Sequence, residues 1–158
     1  MKEQYIHFGS PEFDKSKFRP VVNSNGYFAN KPLYGTGLWA SPVGAEWGWG
    51  NFCRQENFYV ENLRCSFRFT LKKGARVLHI WEKDDLANNP HISLNWYSVA
   101  TFDYEALAKE YDAVEFHFSE SYDTYFPMYG WDCDSIVIPN PNVVNTKKVR
   151  RRRHKPLK

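Results

Sequence analysis

The sequence predicts an α+β fold: a single domain with two small mixed or antiparallel sheets, flanking short helices and a basic C-terminal tail. The first observation behind this prediction is that the apolar segments are short and unevenly spaced. They do not alternate regularly with helical segments, and such alternation is what a doubly wound parallel sheet requires. The second is size, because 158 residues suit one domain with its own core. We place that domain at residues 1–146 and a disordered tail at 147–158.

Six segments are predicted to be strands because apolar residues cluster or alternate in them. The clearest alternation is that of Phe67, Phe69 and Leu71 with polar residues, which indicates one buried and one exposed face. Residues 11–34, rich in Pro, Asn, Gly and Lys, are predicted to be irregular. The predicted strands are 5–8, 38–41, 65–71, 75–80, 113–118 and 134–138.

Helices are predicted at three places. Asp103 is a suitable N-cap for a helix that runs to Glu110, and Pro90 limits a short helix over 82–88. A third helix is expected to start in 45–51, with Trp47 and Asn51 four residues apart on one face.

Charge is distributed unevenly along the chain. Eight of the 21 basic residues lie in 147–158, which has no acid, so the remainder carries 13 basic against 18 acidic residues. Such a basic block is typical of segments that contact nucleic acid or a ribosome, and equally of a solvated tail that aids solubility. Both interpretations stay open at this point.

Cysteine and histidine patterns exclude several classes of protein. Three cysteines form no CxxC pair, and their odd number argues against a disulfide framework. The five histidines are scattered without zinc-ligand spacing, so no metal site is expected. The cysteine pattern fits a reduced cytoplasm, which is where we expect the protein. No apolar run approaches the roughly 20 residues of a membrane span, so no membrane partner is expected.

The segment Gly35-Thr36-Gly37-Leu38-Trp39-Ala40-Ser41-Pro42 is the most informative part of the chain. Glycines before a short strand let the backbone approach a ligand closely, and an aromatic ring offers a flat face to a planar one. A histidine lies on the first strand, in Tyr5-Ile6-His7-Phe8-Gly9-Ser10, and an acid opens the last, in Asp134-Ser135-Ile136-Val137-Ile138.

This ordered set resembles the mono-ADP-ribosyltransferase superfamily, in its diphtheria-toxin and poly-ADP-ribose-polymerase-like branch. The segments 72–80, 111–114 and 134–141 are similar to those of small phage and bacterial members, among which are phage effectors and toxins. The resemblance covers most of residues 5–144 and implies that the two sheets form a cleft that binds NAD as a substrate.

The resemblance also implies roles for individual residues. His7 would bind the adenosine-side ribose, the Gly9 backbone would meet the nicotinamide amide, and Trp39 would stack on the nicotinamide ring. Further cofactor contacts would come from Ser10, Gly37, Ser41, Trp47 and Asn51.

The catalytic acid is implied to be Asp134, where the family usually has glutamate. A carboxylate there would favour the cationic sugar that forms as nicotinamide leaves. Asp132 and Glu120 are alternative candidates.

Three functions therefore follow from the resemblance. The first is transfer of ADP-ribose from NAD to a protein or nucleic acid, and the second is hydrolysis of NAD with water as acceptor. The third is a binding module for RNA or a partner protein that has lost the chemistry, which the replacement of Glu by Asp favours.

Overall fold

A computed structural model describes residues 2–26, 29–95 and 98–147. The predicted tail, apart from Lys147, lies outside the described residues. No helix in the described part of the chain is both long and apolar enough to cross a membrane.

The described elements are nine strands, three α-helices and four single 3₁₀ turns. The strands are β1 (Gln4–Phe8), β2 (Leu38–Pro42), β3 (Ser66–Leu71), β4 (Val77–Ile80), β5 (Ile92–Leu94), β6 (Ala100–Phe102), β7 (Ala113–Phe116), β8 (Ser135–Ile138) and β9 (Val144–Asn145). The helices are α1 (Trp49–Glu56), α2 (Lys83–Ala87) and α3 (Tyr104–Glu110), and the turns are Lys15–Lys17, Val60–Arg64, Phe118–Glu120 and Pro141–Val143.

Seven strands form one mixed sheet in the order β4-β7-β8-β2-β1-β3-β9, and β5 and β6 form a separate hairpin. Within the described residues, β4 and β7 pair in parallel and the other pairs are antiparallel. The α+β class is thus confirmed, and two sheets are present as predicted, but one of them is a seven-stranded mixed sheet and not a small one. The β4-β7-β8-β2 part of this sheet is joined to the β1-β3-β9 part by the short antiparallel pairing of β1 with β2. Short-range sequence patterns do not reveal such a pairing.

The large sheet has a hydrophobic cluster on each side. One side, here called the tyrosine face, carries Tyr5, Leu38, Phe69 and Ile136 and is covered in part by Phe13 and Phe18. The other, the tryptophan face, carries Val114, Phe116 and Val137 and packs on Trp131 and on Leu86 and Leu107 of the helices. Because side chains alternate along a strand, successive residues of β1 and β2 belong to opposite faces.

The helices and strands lie where the sequence predicts them when the segment has a capping residue or a clear apolar–polar alternation. Asp103 caps α3 by accepting a hydrogen bond from the Ala106 amide at 3.1 Å. Segment 113–118 is different, since β7 ends at Phe116 and all four of its residues are buried. It is buried on both faces because Val114 and Phe116 pack into one hydrophobic cluster and Ala113 into the other.

Candidate functional site

The sheet opens between β1 and β2. These strands pair only at Tyr5 with Pro42 and at Ile6 with Ser41. Beyond that point β1 stays paired with β3 as far as Phe8, and β2 stays paired with β8 back to Leu38. The two strands therefore separate in a wedge, at the positions where the sequence places His7 and Trp39.

The His7 side chain spans the start of this wedge. Its Nδ1 lies 2.6 Å from the Trp39 carbonyl oxygen, which only accepts, so Nδ1 carries the hydrogen and donates it. Burial lowers the pKa of the imidazole, and the bond to Trp39 opposes that shift. At neutral pH the ring is therefore neutral, with its Nε2 lone pair available to accept a hydrogen bond. The Phe67 ring, 5.1 Å away between centroids, packs beside it.

A cavity of about 270 Å³ lies beside His7 and is bordered by Ser10, Arg19, Gly35, Gly37 and Phe67. Gly37 has φ +71° and donates its amide to the Arg19 carbonyl at 2.8 Å, which holds the cavity wall in place. Lys17 also borders the cavity, so two cations lie at its rim together with Glu12 and Asp14. The cavity is slightly smaller than a typical small-molecule pocket.

Trp39 and Ser41 belong to the opposite side of the sheet. The Trp39 indole packs on Trp131 at 4.8 Å between ring centroids, as part of the tryptophan-face cluster. The buried Ser41 hydroxyl accepts a hydrogen bond from the Trp49 amide at 2.9 Å and so holds the start of α1. His7 and Trp39 therefore meet through a backbone carbonyl, and their rings do not converge on one space as expected.

The remaining predicted cofactor residues make internal contacts. The Gly9 amide donates to the Cys65 carbonyl at 2.9 Å. Trp47 lies before α1, not inside a helix with Asn51, and its indole N–H donates to the Asp132 carbonyl at 2.9 Å. Asn51, in the first turn of α1, donates to the carbonyls of Ala45 and Glu46.

Asp134 precedes β8 and lies at the end of the sheet away from the cavity beside His7. Its carboxylate accepts hydrogen bonds from the amide and the hydroxyl of Ser119, and its own amide donates to the Trp47 carbonyl. Asp132 is exposed. Since β8 begins at Ser135, Asp132 and Asp134 both precede the strand.

A second group of polar side chains lies on the tyrosine face, where sequence analysis expected no site. His79 of β4, Glu115 of β7 and His117 place one ligand-type atom each within 4.8 Å of one another. The in-register parallel pairing sets His79 beside Glu115, and His117 follows Glu115 by two residues. Sequence spacing did not reveal the group because His79 and Glu115 are 36 positions apart in the chain. A usable signal was that each is the lone polar residue in an otherwise apolar strand.

Burial governs the ionisation of this group. It raises the pKa of Glu115 to about 7, even though the hydrogen bond from Tyr5 acts in the opposite direction. Burial, with the neighbouring His79, lowers the pKa of His117 to about 4. The two histidines are thus neutral at pH 7, because burial lowers the pKa of His79 as well, and their contacts with Glu115 are not ion pairs there.

A further cavity, of about 400 Å³, lies against the β5–β6 hairpin and is bordered by Asn23, His91, Ser93 and Asp103. It contains none of the residues predicted to bind NAD. Comparisons of the chain with protein-family models, with curated proteins and with solved structures find no match.

Proposed function

We propose that this protein binds NAD in the wedge between β1 and β2 and transfers its ADP-ribose to a macromolecular acceptor, with release of nicotinamide. The observation that carries the proposal is the separation of β1 from β2 after two paired residues, with the neutral His7 imidazole at its start.

The chemistry of the wedge suits one part of a dinucleotide. The Nε2 atom of His7 is able to accept a hydrogen bond from a ribose hydroxyl, because Nδ1 is held as the donor to Trp39. Arg19 and Lys17 supply two cations at the rim for a pyrophosphate, beside Glu12 and Asp14, the second of which lies 4.0 Å from Lys17. Because the cavity takes about half of NAD, the other half extends past this rim.

Transfer also requires a carboxylate close to the sugar that becomes cationic. A preorganised group of this kind contributes roughly a hundredfold or more in rate. Among the predicted acids we assign this role to Asp134, which Ser119 holds in one orientation through two donors, and the assignment requires the nicotinamide half of NAD to reach from the wedge to the opposite end of the β1–β2 pairing. In the proposed reaction, the bond between ribose C1′ and the nicotinamide nitrogen breaks, and an acceptor nucleophile forms the new bond to C1′.

One observation favours a second candidate function, a binding module without chemistry. Asp134 lies at the end of the sheet where β1 and β2 are paired with each other. The wedge opens at the opposite end of that pairing. A module of this kind binds NAD, or an RNA or protein partner, and leaves the glycosidic bond intact.

Binding is tested by filling each of the two cavities in turn. Ser10 borders the wedge cavity and Ser93 borders the cavity at the β5–β6 hairpin, so Ser10→Trp and Ser93→Trp are matched variants. In a calorimetric titration with NAD, Ser10→Trp should abolish binding while Ser93→Trp binds like the unmodified chain. The reverse pattern, or no heat from the unmodified chain, would contradict the proposal.

Chemistry is tested separately with NAD labelled in its adenylate part. Incubation with a cell lysate should label a protein or nucleic acid and release nicotinamide, and Asp134→Asn should lower both about a hundredfold. Asp132→Asn, an exposed neighbour, is the control and should keep the rate. Release without labelling would indicate NAD hydrolysis, and NAD binding with neither product would indicate the binding module.

A further inference from the structure

The group formed by His79, Glu115 and His117 has the dimensions of a metal site. The His79 Nδ1 and His117 Nε2 atoms are 2.9 Å apart. The Glu115 Oε2 atom lies 3.7 Å from the first and 3.6 Å from the second. These three distances define a triangle whose centre is about 2.0 Å from every corner. Zn²⁺ binds histidine nitrogen and carboxylate oxygen at about 2.0–2.2 Å.

The three side chains are held in this arrangement by their neighbours. The Tyr5 hydroxyl lies 2.6 Å from Oε1 of Glu115 and 3.3 Å from Oε2, and this contact, shorter at Oε1, holds the carboxylate beside the histidines. The Trp81 indole stacks on the His117 ring with 3.3 Å between centroids and 3° between planes. Such outer contacts orient ligands in known metal sites.

The carboxylate of the group is buried and one of its histidines is exposed, an arrangement that gives a metal ion access from solvent. The Glu115 side chain is 1% exposed, whereas the His79 side chain is 42% exposed. A carboxylate buried on the tyrosine face needs a compensating partner, and a cation at the centre of the triangle supplies one. Entry and further ligands are available from the solvent side, next to His79.

We propose that His79, Glu115 and His117 bind one divalent transition-metal ion of the Zn²⁺ class. Two histidines and one carboxylate use three coordination positions, and the solvent side leaves at least one more for water or an anionic ligand. The site lies on the tyrosine face and involves none of the residues assigned above to NAD, so it stands whether or not the chain uses NAD.

The alternative for the same geometry is a hydrogen bond between the two imidazoles, with a shared proton in place of the metal. That arrangement needs one ring to donate and the other to accept, and it predicts no affinity for metal beyond that of ordinary surface histidines. The two arrangements are therefore distinguished by metal titration.

The experiment titrates the metal-stripped full chain with Co²⁺ alone, which reports coordination through visible absorption, and then displaces it with Zn²⁺. We expect one equivalent to bind and a loss of at least a hundredfold in affinity in His79→Gln and in His117→Gln. His91→Gln is the matched control, because His91 contacts Glu110 away from the group. Circular dichroism of each metal-free variant checks folding, and His79→Gln is least disruptive because His79 is exposed.

Tyr5→Phe tests the orienting contact independently. Loss of an outer-shell hydrogen bond of this kind costs about 10–100-fold in metal affinity. The proposal is overturned if the unmodified chain binds no stoichiometric Co²⁺, or if His79→Gln and His91→Gln bind it with the same affinity as the unmodified chain.

Discussion

Replacement of Gly37 by alanine tests whether the wall of the wedge cavity is as closely packed as the structure shows. Gly37 has φ +71°, a conformation that costs an L-residue about 1–2 kcal/mol. A Cβ atom at this position would lie 3.0 Å from both Val21 Cγ1 and Val137 Cγ2. Both valines are buried, so the clash adds about 1–3 kcal/mol of overpacking. We therefore expect Gly37→Ala to lower the free energy of unfolding by about 2–5 kcal/mol.

The matched control is Gly35→Ala, two residues earlier. Gly35 has φ +83°, but the nearest atom to an added Cβ is Arg19 Nη1 at 3.8 Å, so only the backbone cost of about 1–2 kcal/mol applies. Urea unfolding of both variants isolates the packing contribution as their difference. In a chain of this size each kcal/mol lowers Tm by about 2–4 °C. Equal losses in the two variants would show that the valines do not pack against Gly37 as described.

Two further predictions concern carboxylates that hold the fold together. Asp112→Asn should lower the free energy of unfolding by about 2 kcal/mol at pH 7. The Asp112 carboxylate accepts hydrogen bonds from the Arg76 amide at 2.8 Å and from the Asn140 side chain at 3.0 Å, and the side-chain amide of asparagine would place a donor against one of these donors. Burial opposes ionisation of Asp112, but these bonds and the Arg76 guanidinium outweigh it and lower its pKa. The stabilisation is thus present above the unfolded pKa of about 3.9 and is lost as pH falls through the lower folded value. Urea titrations should therefore show the difference between the two chains shrinking as pH falls below about 3.9, and a difference that stays constant throughout the acid range would contradict this. Asp103→Ala should cost about 1 kcal/mol, measured by thermal unfolding, because it removes the N-cap of α3, and an unchanged Tm would count against that role.

The sequence predicted local features more reliably than the assembly of the sheet. The alternation of Phe67 and Phe69 and the cap at Asp103 are local patterns, and the structure has β3 and α3 where they indicated. Strands β5 and β6, three residues each, are too short to show a period and were missed. The single seven-stranded sheet depends on pairing between β1 and β2, which are about 30 residues apart, and no local pattern encodes such a pairing.

The candidate site likewise combines features that are visible in the local sequence with others that depend on strand pairing. Gly37 and His7 could be selected from the sequence because glycine before a strand and histidine on an apolar strand are visible there. Which face each ring occupies depends on register: His7 lies by Phe67 on one side, and Trp39 by Trp131 on the other. The group around Glu115 needed the parallel pairing of β4 with β7, which no spacing rule supplies.

The most direct test of the central claim is a crystal structure of the chain with NAD. The account predicts electron density for the dinucleotide between β1 and β2, with a ribose hydroxyl about 2.7–3.2 Å from Nε2 of His7. Density confined to the cavity at the β5–β6 hairpin, or an empty wedge at a saturating NAD concentration, would contradict it.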